Sequence, residues 1–456
     1  MTQKKLQIEE ETVQSGDRWI WGIYIALCLV SIVESYAALS QVVGKQGLYY
    51  PLVKHCLLLG SGFLILWGLQ RLHYTKYIPF IKVFSVLTFL SVIAVLFIGQ
   101  NINGAMRAIP VPGLGTIQPA ELSKLAIATL VPLIVSRHQV ENGVSRRGAI
   151  LAVTVVCAFA LFLVGQGLTN TILLMFTSVI IMWIGGIKVH QLFMVFGVYV
   201  AIAGCVMLIN KSNEEKEAEV KARARSYEMT QNANATEANA INMAAYDDPE
   251  KSKRDAARRS DTWSARITRW KVNHDSLVYM PLTPENMQET FAHMAQAHGG
   301  VYGVGPGNSR ECSRLPLAFS DYIFSIIVEE EGLIGGIILI VLYLWLLIRA
   351  GLIASRCARA FPALLIMGMA VMITFQALVH MAINTGLFPV SGQSLPLISE
   401  GGTSVWVISA AFGIMLSVSR HASQNTIDKM KKKEEQDLPK EEQAPNPMQI
   451  ILDNEK

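Results

Sequence analysis

Charged side chains that could do chemistry are gathered in short segments of an otherwise apolar chain. The first segment contains Arg107 and, just after Pro119, the pair Glu121 and Lys124. Their spacing of three residues places the acid and the base on one face of a helix. The pair is either a structural ion pair or, together with Arg107, part of a basic pocket for an anionic headgroup.

The second segment, residues 299–332, begins with a glycine-rich loop. Alternating glycines centred on Gly305 precede Ser309, and no Gly-Lys-Ser/Thr sequence follows, so the loop is not a Walker loop. Backbone N–H groups in such a loop could cradle a phosphate, or the loop could be a simple turn.

Asp321 lies where this segment turns into an apolar helix, with Ser320 as the predicted N-cap. It is either a helix-start acid, stabilised by the dipole by about 0.3–1 kcal/mol, or a general base at a membrane–water boundary. Glu329 follows about 12 Å further along the axis, at about 1.5 Å per residue. Because Glu329, Glu330 and Glu331 cannot all face lipid, at least one is expected to line a cavity or contact a basic residue.

The third segment, residues 384–404, is dense in Gly and Pro and contains Ser399. That composition predicts an irregular backbone between two helices. At membrane depth such a backbone is tolerated only where it is buried in protein or faces a wet cavity.

The composition identifies the kind of scaffold that must position these residues. Of 456 residues, 52% are apolar and only 16% are charged, against roughly 25% in soluble proteins. This excludes a disordered chain and a soluble multidomain enzyme. The net charge of +4 and the scattered basic residues argue against nucleic-acid binding. The six cysteines imply no disulfide framework, and the polar first residues show no signal-peptide pattern.

Ten apolar runs are long enough to cross a membrane as helices, which takes about 20 residues. They are 19–43, 52–70, 77–98, 119–135, 148–164, 168–187, 191–209, 321–349, 361–388 and 401–419. The predicted fold class is an all-α polytopic membrane protein with a large extracytoplasmic loop, 211–318, between its seventh and eighth helices.

The distribution of basic residues predicts the orientation, because cytoplasmic connections are rich in Lys and Arg. Short connections after odd-numbered spans carry only Lys45 and Arg107, and the 211–318 connection is not counted because it exceeds roughly 60 residues. Those after even-numbered spans carry Arg71, Lys76, Arg137, Arg146, Arg147, Lys188, Arg349, Arg356 and Arg359. We therefore expect both termini to be cytoplasmic, with a cytoplasmic segment 1–18, a membrane domain 19–420 and a disordered tail 421–456.

Five ordered motifs resemble the SEDS family (shape, elongation, division and sporulation), the FtsW/RodA-like proteins of bacterial cell-wall synthesis, over about residues 19–420. The motifs are Gly104 to Arg107, Gln118 to Lys124, Gly303 to Ser309, Leu315 to Gly332 and Asn384 to Ser404. Gly307-Asn308-Ser309 and Asn384-Thr385-Gly386 are more similar to the division (FtsW-like) branch than to the elongation branch. Ala108, His380 and Glu400 stand where the family pattern has Trp, often Asn, and Tyr.

The resemblance implies a peptidoglycan glycosyltransferase that polymerises lipid II into glycan strands during cell division. The donor glycan would leave undecaprenyl pyrophosphate as the 4-hydroxyl of the acceptor attacks it. Asp321 would be the catalytic base, and Arg107 and Lys124 would hold the pyrophosphate while Glu121 orients Lys124. The further expected substrate contacts are Arg266, Gly305, Ser309 and Ser399. No cofactor is certain, and a divalent cation, Mg or Mn, remains open.

The resemblance also implies partners and a location. The partners would be lipid II, a class B penicillin-binding protein acting as transpeptidase, and other divisome membrane proteins, with no nucleic acid. The protein would lie in the cytoplasmic (inner) membrane at the division septum. Two alternatives stay open: a lipid II flippase, for which Glu34 is the clear midspan acid, and a non-catalytic division scaffold that would tolerate loss of Asp321.

Overall fold

A computed structural model describes residues 15–42, 49–102, 105–111, 115–140, 143–164, 166–188, 190–191, 197, 266–267, 270, 282, 286–315, 318–399 and 401–437. Within these ranges the helices are α1 (Arg18–Val42), α2 (Tyr49–Arg71), α3 (Tyr77–Ile98), α4 (Pro119–Arg137), α5 (Arg146–Leu163), α6 (Leu168–Ile184), α7 (Met287–Gly299), α8 (Ile323–Ala354), α9 (Ala360–Asn384) and α10 (Gly402–Asp437). Helices therefore occupy nine of the ten predicted spans, and the prediction for 191–209 falls almost wholly outside the described residues.

Eight of these helices are long and apolar enough to cross a membrane, and α6, with 17 residues, is a shorter apolar helix. Large apolar side chains on their outer faces are exposed, for example Leu57, Phe80 and Leu87. An apolar surface of this kind suits lipid rather than water. The predicted all-α polytopic membrane fold is confirmed.

The most buried spans are α4, α9 and α10. One hydrophobic core joins helices α1 to α4 and α8 to α10, and a second joins α3 to α6 and α9. Because α4 and α9 sit inside the bundle, polar groups on them face protein, and each needs a partner there.

Small strands, which the hydropathy pattern did not predict, lie in two connections. Strands β1 (Gln100–Ile102), β2 (Ala105–Val111) and β3 (Gly115–Ile117) form an antiparallel sheet before α4. A two-stranded hairpin, β4 (Gln139–Val140) and β5 (Gly143–Val144), follows α4.

Two helix boundaries correct the predictions. Helix α9 ends at Asn384 rather than 388. Helix α10 continues to Asp437, so the first part of the tail predicted to be disordered, 421–456, is helical. The chain's hydropathy falls near 420, but a charged helix can extend beyond the membrane without an apolar face.

We call the end of the bundle at which α4, α8 and α10 begin and α9 ends the site end. The opposite end is held by a buried ion pair. Arg349 of α8 donates two hydrogen bonds to Asp17 Oδ2, of 2.9 and 2.6 Å. Asp17 Oδ1 also accepts from the Ile20 amide in the first turn of α1, and the Asp17 amide donates to the Ser419 hydroxyl of α10. These contacts fix three helices relative to one another.

Candidate active site

The backbone around Asp321 is held by the connection between α9 and α10. The Ser399 hydroxyl donates to the Ser320 carbonyl over 2.8 Å and accepts from the Leu395 amide over 2.7 Å. The side chain of Asn384, at the end of α9, donates to the Asp321 carbonyl over 3.0 Å. Asp321 itself is only partly buried, while the main chain around it is fixed by these contacts.

The structure corrects the predicted N-cap of this helix. Helix α8 begins at Ile323, so its N-cap is Tyr322, and the Ser320 hydroxyl donates to Asp321 Oδ1 over 3.0 Å instead of accepting from an amide of the first turn. Asn384 Oδ1, from α9, accepts from both the amide and the hydroxyl of Ser325. The amide of the third residue of α8 is thus satisfied by another helix, 59 residues away, which spacing along α8 could not reveal.

Glu121 and Lys124 form the ion pair that their spacing predicts, with 2.6 Å between Oε1 and Nζ. Both side chains are almost fully buried. Lys124 Nζ also donates to Gln376 Oε1 of α9 over 2.8 Å, and Gln376 Nε2 donates to the Ser394 carbonyl over 3.0 Å. The pair is therefore tied to the same α9–α10 connection that holds Asp321. Gln376 was not identified from the sequence, because it is a single amide in an apolar run.

The glycine loop forms backbone hydrogen bonds with α8 where that helix is interrupted, rather than presenting these amides to a ligand. Helix α8 loses helical geometry at Gly332, where φ is 73°. The amides of Val304 and Gly305 donate to the carbonyls of Glu329 and Glu330 over 3.0 and 2.8 Å. Beyond the break, the Leu333 amide donates to a carbonyl of the same loop. The Gly305 amide is thus engaged with α8, and the predicted phosphate cradle is not formed by it in this structure.

Ser309 and Glu329 form a buried clamp beneath this loop. The Ser309 hydroxyl donates to Glu329 Oε2, and the Arg310 amide donates to Glu329 Oε1 over 3.0 Å. His298 Nδ1 lies 3.6 Å from the same carboxylate. As expected, the consecutive acids do not all face lipid, because Glu329 and Glu330 are buried. The Ser309 hydroxyl thus serves Glu329, and its predicted role in substrate binding stays a prediction.

Burial shapes the chemistry of the thiol below the loop. The Cys312 amide donates to the Ser309 hydroxyl over 3.1 Å. Burial, together with the nearby carboxylates of Glu330, Glu329 and Glu34, raises the pKa of the Cys312 thiol to about 12. The thiol therefore stays protonated and unreactive at neutral pH.

The remaining predicted contacts lie around the same end. Arg266 is half-buried, and its NH1 donates to the Val390 carbonyl over 3.3 Å. Trp270 Nε1 donates to the Gly386 carbonyl over 2.8 Å, so the predicted 211–318 loop docks on the α9–α10 connection at two points. Arg107 lies in β2, and its side chain is outside the described residues, as is Glu400.

His380, one of the departures from the family pattern, is buried in this network. Its Nδ1 lies 2.7 Å from the Gln393 carbonyl, and its Nε2 lies 3.3 Å from Asn384 Nδ2. Gln393 Nε2 in turn donates to Asn170 Oδ1 of α6 over 2.9 Å. The histidine therefore connects the residue that holds Asp321 to a third helix.

The predicted divalent cation gains no ligand set from the described part of the chain. There, no three His, Cys, Asp or Glu side chains come together in an arrangement that could hold a metal ion. The cation stays a prediction.

The fold and the site define a multi-pass helical membrane protein with a polar, acid-containing site at one end. A family model described as "Cell cycle protein" and named for FtsW, RodA and SpoVE matches residues 17–237 and 261–424. The chain belongs to this family, as its motifs predicted.

Individual relatives agree with that placement. "Probable peptidoglycan glycosyltransferase FtsW" of Aliivibrio salmonicida is 25% identical over 411 residues, which cover 88% of each chain. "Stage V sporulation protein E" of Bacillus subtilis is 26% identical over 81% of this chain and 87% of its own. Shorter matches, such as 37% identity over 139 residues with an FtsW of Thioalkalivibrio, also favour the FtsW branch.

Solved structures share the fold. A chain from "Structural coordination of polymerization and crosslinking by a peptidoglycan synthase complex" superposes with a TM-score of 0.61 at 20% identity, covering 89% of this chain and 98% of that one. RodA of Thermus thermophilus superposes with a TM-score of 0.56 at 20% identity, covering 89% and 97%.

Proposed function

We propose that this chain is a peptidoglycan glycosyltransferase that polymerises lipid II during cell division. The observation that carries the proposal is the position of Asp321. Asp321 is partly exposed at the end of a membrane bundle, while the main chain around it is held by Asn384 and Ser399. Family membership and relatives named as peptidoglycan glycosyltransferases support the same activity.

In the proposed reaction, the 4-hydroxyl oxygen of the acceptor attacks C1 of the donor sugar. Asp321 takes the hydroxyl proton as the new C–O bond forms, and the bond from C1 to the pyrophosphate oxygen breaks. Undecaprenyl pyrophosphate leaves with the bonding electrons. The Ser320 hydroxyl, 3.0 Å from Asp321 Oδ1, orients the carboxylate.

Positive charge near the leaving group would stabilise the transition state. Lys124 is buried beside Glu121 and Gln376, so in the resting protein its charge is already neutralised. A pyrophosphate would therefore have to draw Lys124 from this arrangement or be held by other cations. Arg107 and Arg266 are the candidate cations. Gly305 and Ser399 would contribute to substrate binding indirectly, by holding the backbone of the site in place.

We also propose the partners and the orientation that the resemblance implies. A class B penicillin-binding protein would crosslink the strands, and other divisome proteins would recruit the pair to the septum. With both termini cytoplasmic, the site end faces outward, where lipid II is consumed. A Mg²⁺ or Mn²⁺ ion would neutralise negative charge on the pyrophosphate.

The test is polymerisation of fluorescent lipid II by the purified protein with its transpeptidase partner. Asp321→Asn should bind lipid II but lose at least about 10²-fold in rate, the usual contribution of a general base. Glu331→Gln is the matched control, because it neutralises an exposed carboxylate of the same segment that has no proposed catalytic role, and it should keep most of the activity. Glycan strands of normal length and rate from Asp321→Asn would exclude Asp321 as the base.

The two alternatives give different results in the same system. A flippase would move lipid II across vesicle membranes without making polymer, and the move would depend on a midspan group such as Glu34. A scaffold would support division in cells that carry Asp321→Asn.

A further inference from the structure

A cavity at the opposite end of the bundle is lined by residues that suit an anion. Its volume is about 570 Å³. The lining residues come from the start of α1, the end of α2 and the middle of α10: Ser15, Trp21, Trp67, Gln70, Arg71 and Arg420. Arg420 lies 18 residues after Gly402, about 27 Å along α10. The cavity is thus almost a membrane thickness away from Asp321.

Two guanidinium groups are held in place at this cavity. The Arg71 Cζ lies 3.6 Å from the centroid of the Trp67 ring, a cation–π contact. Arg420 NH1 donates to the Gln70 carbonyl over 3.1 Å. Among the described residues that line the cavity, none is acidic. Two guanidinium groups therefore line one cavity, and the planar donor fork of a guanidinium suits a phosphate.

The lining of the cavity also includes a buried acceptor that needs a donor. Gln70 is more than nine-tenths buried, and its Oε1 has no hydrogen-bond partner. A buried carbonyl oxygen of this kind is stabilised by a hydroxyl or N–H group. The lining therefore complements a ligand that combines a negative phosphate with a hydroxyl.

The tryptophans indicate where such a ligand would come from. Trp67 is 42% exposed near the end of α2, and Trp21 is anchored through Nε1 to the Ser15 carbonyl over 2.8 Å. Tryptophan and arginine at the ends of spanning helices typically lie at the headgroup level of the membrane. A ligand that diffuses in this layer reaches the cavity without leaving the lipid.

We propose that this cavity binds the headgroup of an anionic glycerophospholipid. Its phosphate contacts Arg71 and Arg420, and a headgroup hydroxyl donates to Gln70 Oε1. The site is separate from the proposed glycosyltransferase site and does not depend on it. By filling the gap between α1, α2 and α10, the lipid would stabilise the helices that carry Asp17 and Ser419.

The test uses native mass spectrometry and thermal unfolding of the full chain in detergent. Added phosphatidylglycerol should be retained with about tenfold preference over phosphatidylcholine, because the choline cation of phosphatidylcholine opposes the attraction between its phosphate and two guanidinium groups. The double variant Arg71→Gln/Arg420→Gln should lose this preference. Arg359→Gln, a basic residue in the α8–α9 connection, is the matched control and should keep it. Arg71→Lys keeps the charge without the planar fork, and should lower the preference even if the double variant folds poorly.

Two further arms identify the ligand. The unaltered protein should also prefer phosphatidylglycerol to phosphatidic acid, which lacks the headgroup glycerol and its hydroxyls. Gln70→Met should remove this preference. Soluble glycerol phosphate at millimolar concentration should not replace the lipid's stabilising effect. Unchanged lipid selectivity in both arginine variants would overturn the proposal, and so would equal stabilisation by the soluble phosphate.

Discussion

The buried ion pair of Glu121 and Lys124 can be separated into a structural and a catalytic contribution. Lys124→Met keeps most of the side-chain volume and removes the charge. It leaves Glu121 with a buried carboxylate, of which Oε2 already has no hydrogen-bond partner, and it removes the donor to Gln376 Oε1. Breaking a buried pair in this way costs about 3–5 kcal/mol, and the orphaned amide oxygen about 1–3 kcal/mol. We expect a total loss at or above about 3 kcal/mol.

The double variant Glu121→Gln/Lys124→Met should recover most of this loss, because no uncompensated charge remains and replacing a buried pair by neutral groups is often nearly neutral. The assay is thermal and denaturant unfolding of the two single variants and the double variant in detergent. Such a double-mutant cycle should show a coupling of at least about 1 kcal/mol, since the side chains are in contact.

Polymerisation of lipid II by the same proteins then tests the catalytic contribution. If Lys124 contributes charge to the pyrophosphate, the folded double variant stays inactive. A folded and fully active double variant would return the pair to a purely structural role. A Lys124→Met protein within about 1 kcal/mol of the wild type would refute the burial argument itself.

Three other expectations test separate parts of the structure. Gly332→Ala should destabilise the protein by at least about 2 kcal/mol, because φ is +73° and a Cβ would clash with the Val301 carbonyl oxygen. Gly351→Ala is the control at a helical glycine of α8, where a Cβ would make only an ordinary contact with Met367, and its thermal unfolding should show equal or higher stability. Asp17→Asn should lower stability by roughly 1.5–3 kcal/mol through the lost charge on its contacts with α8, yet leave the polymerisation rate per folded molecule unchanged. Folding raises the pKa of the Cys312 thiol from 9.0 to about 12, so the unfolded chain loses this proton at lower pH than the folded chain does. Stability should therefore fall between about pH 9 and 12. Cys312→Ala should make this fall less steep in unfolding curves measured against pH, and an equally steep fall would contradict the assignment.

The sequence predicted those features that depend on short-range periodicity. Apolar runs located nine helices that the structure describes, and a spacing of three placed Glu121 beside Lys124. The family resemblance, confirmed by the match of the family model, located the segments that meet at the site end. These signals lie within one helix turn or within one motif.

The features that sequence reasoning missed depend on contacts between distant segments. Asn384 satisfies the start of α8 across 59 residues, and Gln376 joins the ion pair across 252. The glycine loop looked like a phosphate cradle because alternating glycines suit any ligand that approaches the backbone closely. In this protein the glycine loop instead approaches the backbone of α8 at the break near Gly332.

The α9–α10 connection links these parts mechanically. It holds Asp321 through Ser399, holds the ion pair through Ser394, and receives Arg266 and Trp270 from the long loop. Its backbone is fixed by side-chain hydrogen bonds rather than by a helix or sheet, so a displacement at one contact is carried to the others without unfolding a regular element. A partner that binds the long loop would therefore act on the acid and on the buried pair together. Trp270→Phe, which removes only the indole N–H donor to Gly386, should change polymerisation in the presence of the transpeptidase by more than in its absence, and equal effects in both conditions would show that this contact carries no signal.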